Sequence, residues 1–345
     1  MSKKPFFWIG HLALAGVVCL SGASVVSAQT PPKPTAKRAV SSRPAAKPAV
    51  RRPTAAQRRA TATALEMADT VVPRYKVDAG GNLVPDLRAA AAIIYDPDTN
   101  EVLWEENSAS ERSMASITKV MTAAVVFENN PDLSHVVTIA GSDVSRASTT
   151  RLRMADKVTI GDLLHLTLIA SDNAAARALA RTSQQGPQGF VDRMNEKAAE
   201  LGLTATHYAD PSGLLSENVS SAYDLARLIA FASGDERIST IMQKSQHTIQ
   251  TSRRGPITFR STNHLLGRED IDVRAGKTGF ISKSGYCLAT LLRLPTTGQQ
   301  VAVVVLGARS NAGRFMEVQN LFNWLAAKTP TVFATQAAAA ASPHD

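Results

Sequence analysis

Cysteine is nearly absent from this chain: Cys19 and Cys287 are the only two in 345 residues. The first of them lies in an N-terminal stretch that reads as a secretory signal over residues 1–28. Lys3 and Lys4 open it, an apolar run from Phe6 to Val26 follows, and Val26-Ser27-Ala28 supplies small residues for cleavage. Removal of that stretch leaves Cys287 alone, which excludes an intramolecular disulfide even in an oxidising compartment. Cys287 stands in the apolar run Tyr286-Cys287-Leu288-Ala289-Thr290 and reads as a core residue, not a nucleophile. Long uninterrupted hydrophobic runs are missing too. Gly10, His11, Gly16, Ser21, Gly22 and Ser24 break the N-terminal one, which argues against a retained membrane span. Close histidine pairs are missing as well. None of His135, His165, His207, His247 and His264 stands in a metal-ligating spacing such as H-E-x-x-H, so neither a metal nor another cofactor is expected. Finally, residues 1–65 hold eleven Lys/Arg and no acidic residue. The formal charge of +9 therefore belongs to a tail. The remainder carries 27 basic and 29 acidic residues and has no nucleic-acid footprint.

What the chain does contain falls into segments. Residues 29–69 are rich in Pro, Ala, Lys and Arg, too poor in apolar surface to offset ordering entropy, and are expected to form a disordered basic linker. Residues 70–328 form one expected domain, and residues 329–345, with the run Ala337 to Ala341, an expected disordered tail. Within the domain, Ala90 to Tyr95 and Glu101 to Trp104 flank the turn cluster Asp96-Pro97-Asp98-Thr99-Asn100 and predict a hairpin. Apolar residues at helical spacing predict helices over Ile117 to Glu128, Asp162 to Ile169, Ala174 to Arg181 and Tyr223 to Phe231. Three β-runs follow, Arg274 to Ile281, Tyr286 to Leu294 and Val301 to Ala308, and a last helix from near Asn311 to about Ala327. This order predicts a mixed α+β fold whose antiparallel sheet is built from both ends of the chain.

Three short motifs carry the chemistry. Ser116-Ile117-Thr118-Lys119 opens the first predicted helix, so the hydroxyl meets the positive end of the helix dipole. The spacing of three puts Lys119 on the face of Ser116. A serine needs a proton acceptor to become a nucleophile, and a lysine serves once burial lowers its pKa. Ser171-Asp172-Asn173 falls between two helical stretches, where a serine can relay a proton and an asparagine can bind a peptide carbonyl. The same residues would also cap the following helix. Ser216-Glu217-Asn218 and Ser261-Thr262-Asn263 share the S-x-N pattern, but only Ser171 sits between helices. Lys277-Thr278-Gly279 lies in the first β-run of the C-terminal half, where a lysine and a threonine hydroxyl can hold a carboxylate and a glycine admits close backbone approach.

Taken in order, S-x-x-K, S-x-N and K-T-G are the set found in penicillin-binding proteins and class A β-lactamases. Over about residues 85–326 the chain resembles the low-molecular-mass penicillin-binding proteins, the serine D-alanyl-D-alanine endopeptidases and carboxypeptidases. Ala115 to Ala123, Asp210-Pro211-Ser212-Gly213-Leu214, Asn218-Val219-Ser220, Asp224-Leu225, Thr262-Asn263 and Gly276 to Ile281 carry the likeness. It looks closest to the endopeptidase subtype, because Tyr286-Cys287-Leu288 follows the K-T-G strand closely and the chain ends after one terminal helix. One departure is Ala155-Asp156, where the family usually has Gly-Asp, a change expected to affect only a turn.

The resemblance implies a β-lactamase/DD-peptidase-like fold, with an antiparallel sheet carrying helices on both faces and an all-helical subdomain. It implies catalysis by Ser116, Lys119 and Ser171, substrate binding by Asn173, Lys277, Thr278 and Gly279, and an oxyanion hole from the backbone N–H groups of Ser116 and Phe280. The implied activity is hydrolysis of peptidoglycan cross-links through an acyl-enzyme, in the periplasm, with β-lactams as covalent inhibitors. Trimming of pentapeptide ends is the alternative, and a catalytically inactive wall-binding module a remote one. A β-lactamase is disfavoured because no E-x-x-L-N stands between Ser171 and Lys277. No nucleic acid is an expected partner, and the basic linker makes at most peripheral envelope contact.

Overall fold

The computed structural model describes residues 72–340 continuously, with side chains as far as 328, and isolated residues between 54 and 64. The signal-sequence reading and most of the linker lie outside the described residues. At the centre is a five-stranded antiparallel sheet. In chain order its strands are β1 (Ala91–Asp96), β2 (Glu101–Glu106), β3 (Asp272–Ile281), β4 (Gly285–Arg293) and β5 (Gln300–Ala308). They lie side by side as β3-β4-β5-β1-β2. The predicted joining of the two chain ends occurs at β5 and β1, where Val304 pairs with Ile93 and Val303 with Ile94.

Strand β5 shows why the run Val301 to Leu306 is apolar throughout and not alternating. Ala302, Val304 and Leu306 face a core filled by helices, while Val301, Val303 and Val305 face a second core. Covering both sides removes the need for a polar face, although side chains still alternate across the strand. The second core is closed by α7 (Asn311–Ala340), which inserts Phe315, Val318, Leu321, Phe322 and Leu325. Burial of each such side chain stabilises by about 1.5–3 kcal/mol.

The first core is built around α1 (Lys119–Glu128), entered through a 3-10 turn at Ala115–Thr118. Nearly every residue of α1 is buried, as an all-round apolar helix requires. Around it pack α2 (Ile160–Ile169), α3 (Asn173–Thr182), α4 (Gly186–Glu200), α5 (Ala222–Ser233) and α6 (Glu236–Met242). Caps set their starts: Thr159 and Asp162 form a reciprocal box on α2, and Ser221 accepts from the Asp224 amide on α5.

Several expectations are corrected. Ser116 sits within the 3-10 turn and not on the first turn of an α-helix. Helix α4 and the ribbon pairing Gln246–Thr251 with Gly255–Arg260 were not foreseen. Gly186, Pro187 and Gly189 disguise the start of α4 as a turn, though Phe190, Val191, Met194 and Ala198 repeat at helical spacing behind it. The backbone of α7 continues to Ala340, beyond the boundary at 328, because alanine has the highest helix propensity. Within the expected linker, residues 55–58 are helical, opened by Thr54 and Gln57, whose side chains each accept from the other's amide. Ala155 has φ of 67°, the left-handed turn conformation that a glycine would adopt without strain, so the departure at this position is confined to a turn as expected.

Candidate active site

The fold brings the three motifs to one cleft of about 490 Å³, lined by Ser116, Ser171, Asn173, Thr278, Gly279 and Phe280 among others. The 3-10 turn delivers Ser116, the junction between α2 and α3 delivers Ser171 and Asn173, and the edge strand β3 delivers Lys277 to Phe280. The close approach of β3 to the serine turn depends on Gly279: a Cβ there would lie 2.7 Å from the Met114 carbonyl oxygen and 3.2 Å from the Ser116 nitrogen. Gly213 is needed on the same grounds: its φ is +76°, and a Cβ there would lie 2.0 Å from the Ala115 carbonyl oxygen and 2.9 Å from the Ser116 nitrogen. The residues leading into both serine positions are held off the usual backbone: Ala115 has φ of 49° and Ser171 itself 58°. Backbone strain of this kind persists where the surroundings over-determine it.

Lys119 is fully buried and donates to Ser116 Oγ at 2.9 Å, to Asn173 Oδ1 at 2.6 Å and to the Ser212 carbonyl. Among the described residues no carboxylate bonds it. Burial therefore brings its pKa down to about 7, against a smaller upward pull from Asp210 and Asp172. Lys277, 1% exposed, donates to Ser171 Oγ and to the Thr278 carbonyl, each at 2.8 Å. Its amine is held well below the usual lysine range by burial, then by the positive charges of Lys119 and Arg314. The site is thus two serine–lysine pairs facing one cleft.

Asn173 is held at both ends. Its Nδ2 donates to the Ala147 carbonyl at 2.7 Å while its Oδ1 receives Lys119, so in the free protein it positions the lysine. The cap of α3 is the neighbouring Asp172, which accepts from the Ala175 amide at 3.0 Å and from the Arg151 amide at 2.6 Å. Phe280 is half exposed at the mouth, stacked on Tyr286 at 4.2 Å between ring centroids.

Sequence reasoning missed three supports. The Asp210 carboxylate gathers the amides of Ser212, Gly213 and Leu215 at 3.0–3.2 Å and so turns the Ser212 carbonyl onto Lys119. Asp-Pro-Ser-Gly is a turn signature, but nothing in it names the lysine it serves. Thr262 Oγ1 lies 2.6 Å from Thr278 Oγ1, so one rejected S-x-N copy does reach the site through its central residue. Arg314 of α7 donates to the Gly279 carbonyl at 2.9 Å and lines the cleft. It is buried with no carboxylate partner among the described residues, and burial brings its pKa down to about 10.

Residues 79–310 match a family model described as D-alanyl-D-alanine carboxypeptidase, peptidase family S11. The chain belongs to this family. The S11 chain is therefore a serine DD-peptidase by descent, with the mixed antiparallel fold of that group. It is 35% identical over 268 residues to a D-alanyl-D-alanine endopeptidase of Pseudomonas aeruginosa, covering 76% of this chain and 84% of the relative. A D-alanyl-D-alanine endopeptidase of Escherichia coli is 32% identical over 245 residues, covering 70% and 78%. Among solved structures, the Streptomyces K15 DD-transpeptidase superposes with a TM-score of 0.65 at 28% identity, covering 70% of this chain and 97% of that one. A D-alanyl-D-alanine carboxypeptidase of Mycobacterium tuberculosis gives 0.66 at 26%, covering 73% and 96%.

Proposed function

We propose that this S11 peptidase hydrolyses D-alanyl-D-alanine cross-links of peptidoglycan through an acyl-enzyme on Ser116. The observation that carries the mechanism is the environment of Lys119. Two of its three hydrogen-bonding directions point at the Asn173 and Ser212 carbonyl oxygens, which can only accept. A neutral amine donates to both and has its lone pair left for the third direction, the Ser116 hydroxyl. With a pKa of about 7, a large share of Lys119 is in that form at neutral pH.

The steps follow. Ser116 Oγ attacks the carbonyl carbon of a D-Ala residue and Lys119 takes the hydroxyl proton. The oxyanion is held by the backbone N–H groups of Ser116 and Phe280; one such donor typically contributes about 3–4 kcal/mol in the transition state. Ser171 relays the proton taken up by Lys119 to the departing amine as the C–N bond breaks; water then gives a proton to Lys119 and attacks the ester, and that proton returns to Ser116 Oγ as the acid leaves. Among the described residues Lys277 makes two hydrogen bonds; a substrate carboxylate beside Thr278 supplies the counter-charge that favours the protonated amine, whose third N–H then binds it. A β-lactam presents a carboxylate and an acyl carbon to the same groups and acylates Ser116.

The endopeptidase reading, as against removal of a terminal D-Ala, is supported by the two curated relatives named above. Envelope export through residues 1–28 and a periplasmic location accord with the wall substrate, and no helix of the described residues is long and apolar enough to cross a membrane. Incubation with purified cross-linked dimers and pentapeptide monomers, with products separated by mass, tests the reading. Monomers released from dimers support it; loss of one D-Ala from the pentapeptide alone replaces it with the carboxypeptidase reading.

A further inference from the structure

One loop that contributes to the cleft, residues 145–155, is one-sided in charge. It contains Arg146, Arg151 and Arg153 and no acidic residue. Ser148 and Thr149, between the first two arginines, line the cleft. All three arginine side chains are exposed. The flanking carboxylates are already engaged: Asp143 by Arg181 at 2.8 Å and Asp156 by Arg254 at 2.5 Å. Among the described residues no carboxylate lies within ion-pair distance of the three loop guanidinium groups.

Loops with unpaired surface charge are ordinarily mobile, but this backbone is tied down. The carbonyl oxygens of Ala147 and Thr149 accept from Asn173, through Nδ2 at 2.7 Å and the main-chain amide at 2.9 Å. The Arg151 amide donates to Asp172 and its carbonyl accepts from Arg254 at 2.8 Å. Arg177 holds the Ser145 carbonyl at 2.8 Å. Arg146 and Ser148 adopt left-handed conformations, with φ of 52° and 49°. The backbone from which Arg146 and Arg151 project is therefore tied to Asp172 and Asn173 at the start of α3. Pre-positioned guanidinium groups favour planar anions through paired N–H donors.

We infer that this loop is a carboxylate-recognition rim that selects an anionic peptide strand leaving the cleft past Ser148 and Thr149. Arg146 and Arg151 are its principal contacts and Arg153 adds field. The assignment deepens the peptide-hydrolysis reading and rests on it for the substrate class. Free side-chain or main-chain carboxylates on the stem raise affinity at the rim, whereas amidated stems lose that contribution. The groups lie outside the reacting atoms, so they act on binding more than on the chemical step.

The test uses the full chain, its triple variant Arg146→Gln/Arg151→Gln/Arg153→Gln, and cross-linked dimers with free or amidated stem carboxylates. The wild type should favour the acidic dimer by about tenfold in KM at low salt, with the preference falling as salt screens exposed charges. The triple variant should lose that preference, with kcat for either dimer changed less than KM. An equal KM for the two dimers in the wild type, or a preference that survives in the variant, overturns the rim. Covalent labelling by benzylpenicillin reports separately on Ser116. If the wild type labels but cleaves neither dimer, the hydrolysis reading fails. The rim is then judged by calorimetric binding of the two dimers to Ser116→Ala protein, where equal affinities overturn it.

Discussion

Lys119 and Lys277 share one cleft, both buried, and among the described residues neither has a carboxylate to pair with. A buried ammonium without a counter-charge is costly, and the protein answers by weakening the proton affinity of both amines. In the proposed mechanism this makes Lys119 a base, 2.9 Å from the Ser116 hydroxyl. The acylation rate with benzylpenicillin should accordingly rise with pH about a midpoint near 7, as Lys119 loses its proton. Stopped-flow or gel-based rate constants across pH 5.5–8.5 measure it; a flat profile would contradict the assignment. Lys119→Arg keeps the charge but cannot accept a proton, and should slow acylation by about 10²–10⁴-fold. Much of this was legible from residue types, because S-x-x-K and K-T-G name their lysines. What was not legible was the third partner of Lys119: a backbone carbonyl, that of Ser212, carries no side-chain signature.

The ribbon that follows α6 is fastened to α2 by a pair of histidines. The rings of His165 and His247 stack at 3.8 Å, His165 Nδ1 donates to the Gly161 carbonyl at 2.7 Å, and its Nε2 accepts from Lys244 at 3.0 Å. That arrangement needs a neutral His165. Burial is the first cause that holds both pKa values below the usual histidine value; for His165 it outweighs the opposing bond to the Gly161 carbonyl and is aided by His247 and Lys244, and for His247 it is aided by Lys244 against a smaller pull from Asp162. Between the unfolded value of about 6.5 and the lower folded values, the unfolded chain binds more protons. The pair's contribution to stability is therefore full above about pH 6.5 and is lost as pH falls through the folded values. Thermal melts from pH 8 to pH 5 should show a declining Tm that is shallower in His165→Phe. An identical decline in that variant would remove the pair from the account. Histidines 165 and 247 looked scattered in the sequence because α2 and the ribbon meet only through tertiary packing. The longer helices were legible where a buried stripe ran uninterrupted; α4 was lost because Gly and Pro stand at its start, and α6 because seven residues give too short a stripe to read.

The catalytic sheet joins residues some two hundred positions apart, and both of its faces are covered. This makes the terminal helix part of the enzyme's core. Phe322, 2% exposed among Trp324, Leu325 and strand residues of the second core, should cost about 3–5 kcal/mol when cut to alanine. In a domain of this size that corresponds to a fall in Tm of very roughly 10 °C by calorimetry; a fall of under 2 °C would show that α7 is peripheral. That one sheet draws on both ends of the chain was legible from the order of the elements, although not which strands pair, whereas the continuation of α7 to Ala340 was hidden by a composition that also suits a disordered tail. The whole proposal returns to one hydroxyl. Incubation with labelled penicillin followed by mass mapping of the modified peptide tests it most directly. The predicted result is a single adduct on Ser116, absent from a Ser116→Ala protein that keeps its melting transition; an adduct elsewhere, or labelling that persists in the variant, would contradict it.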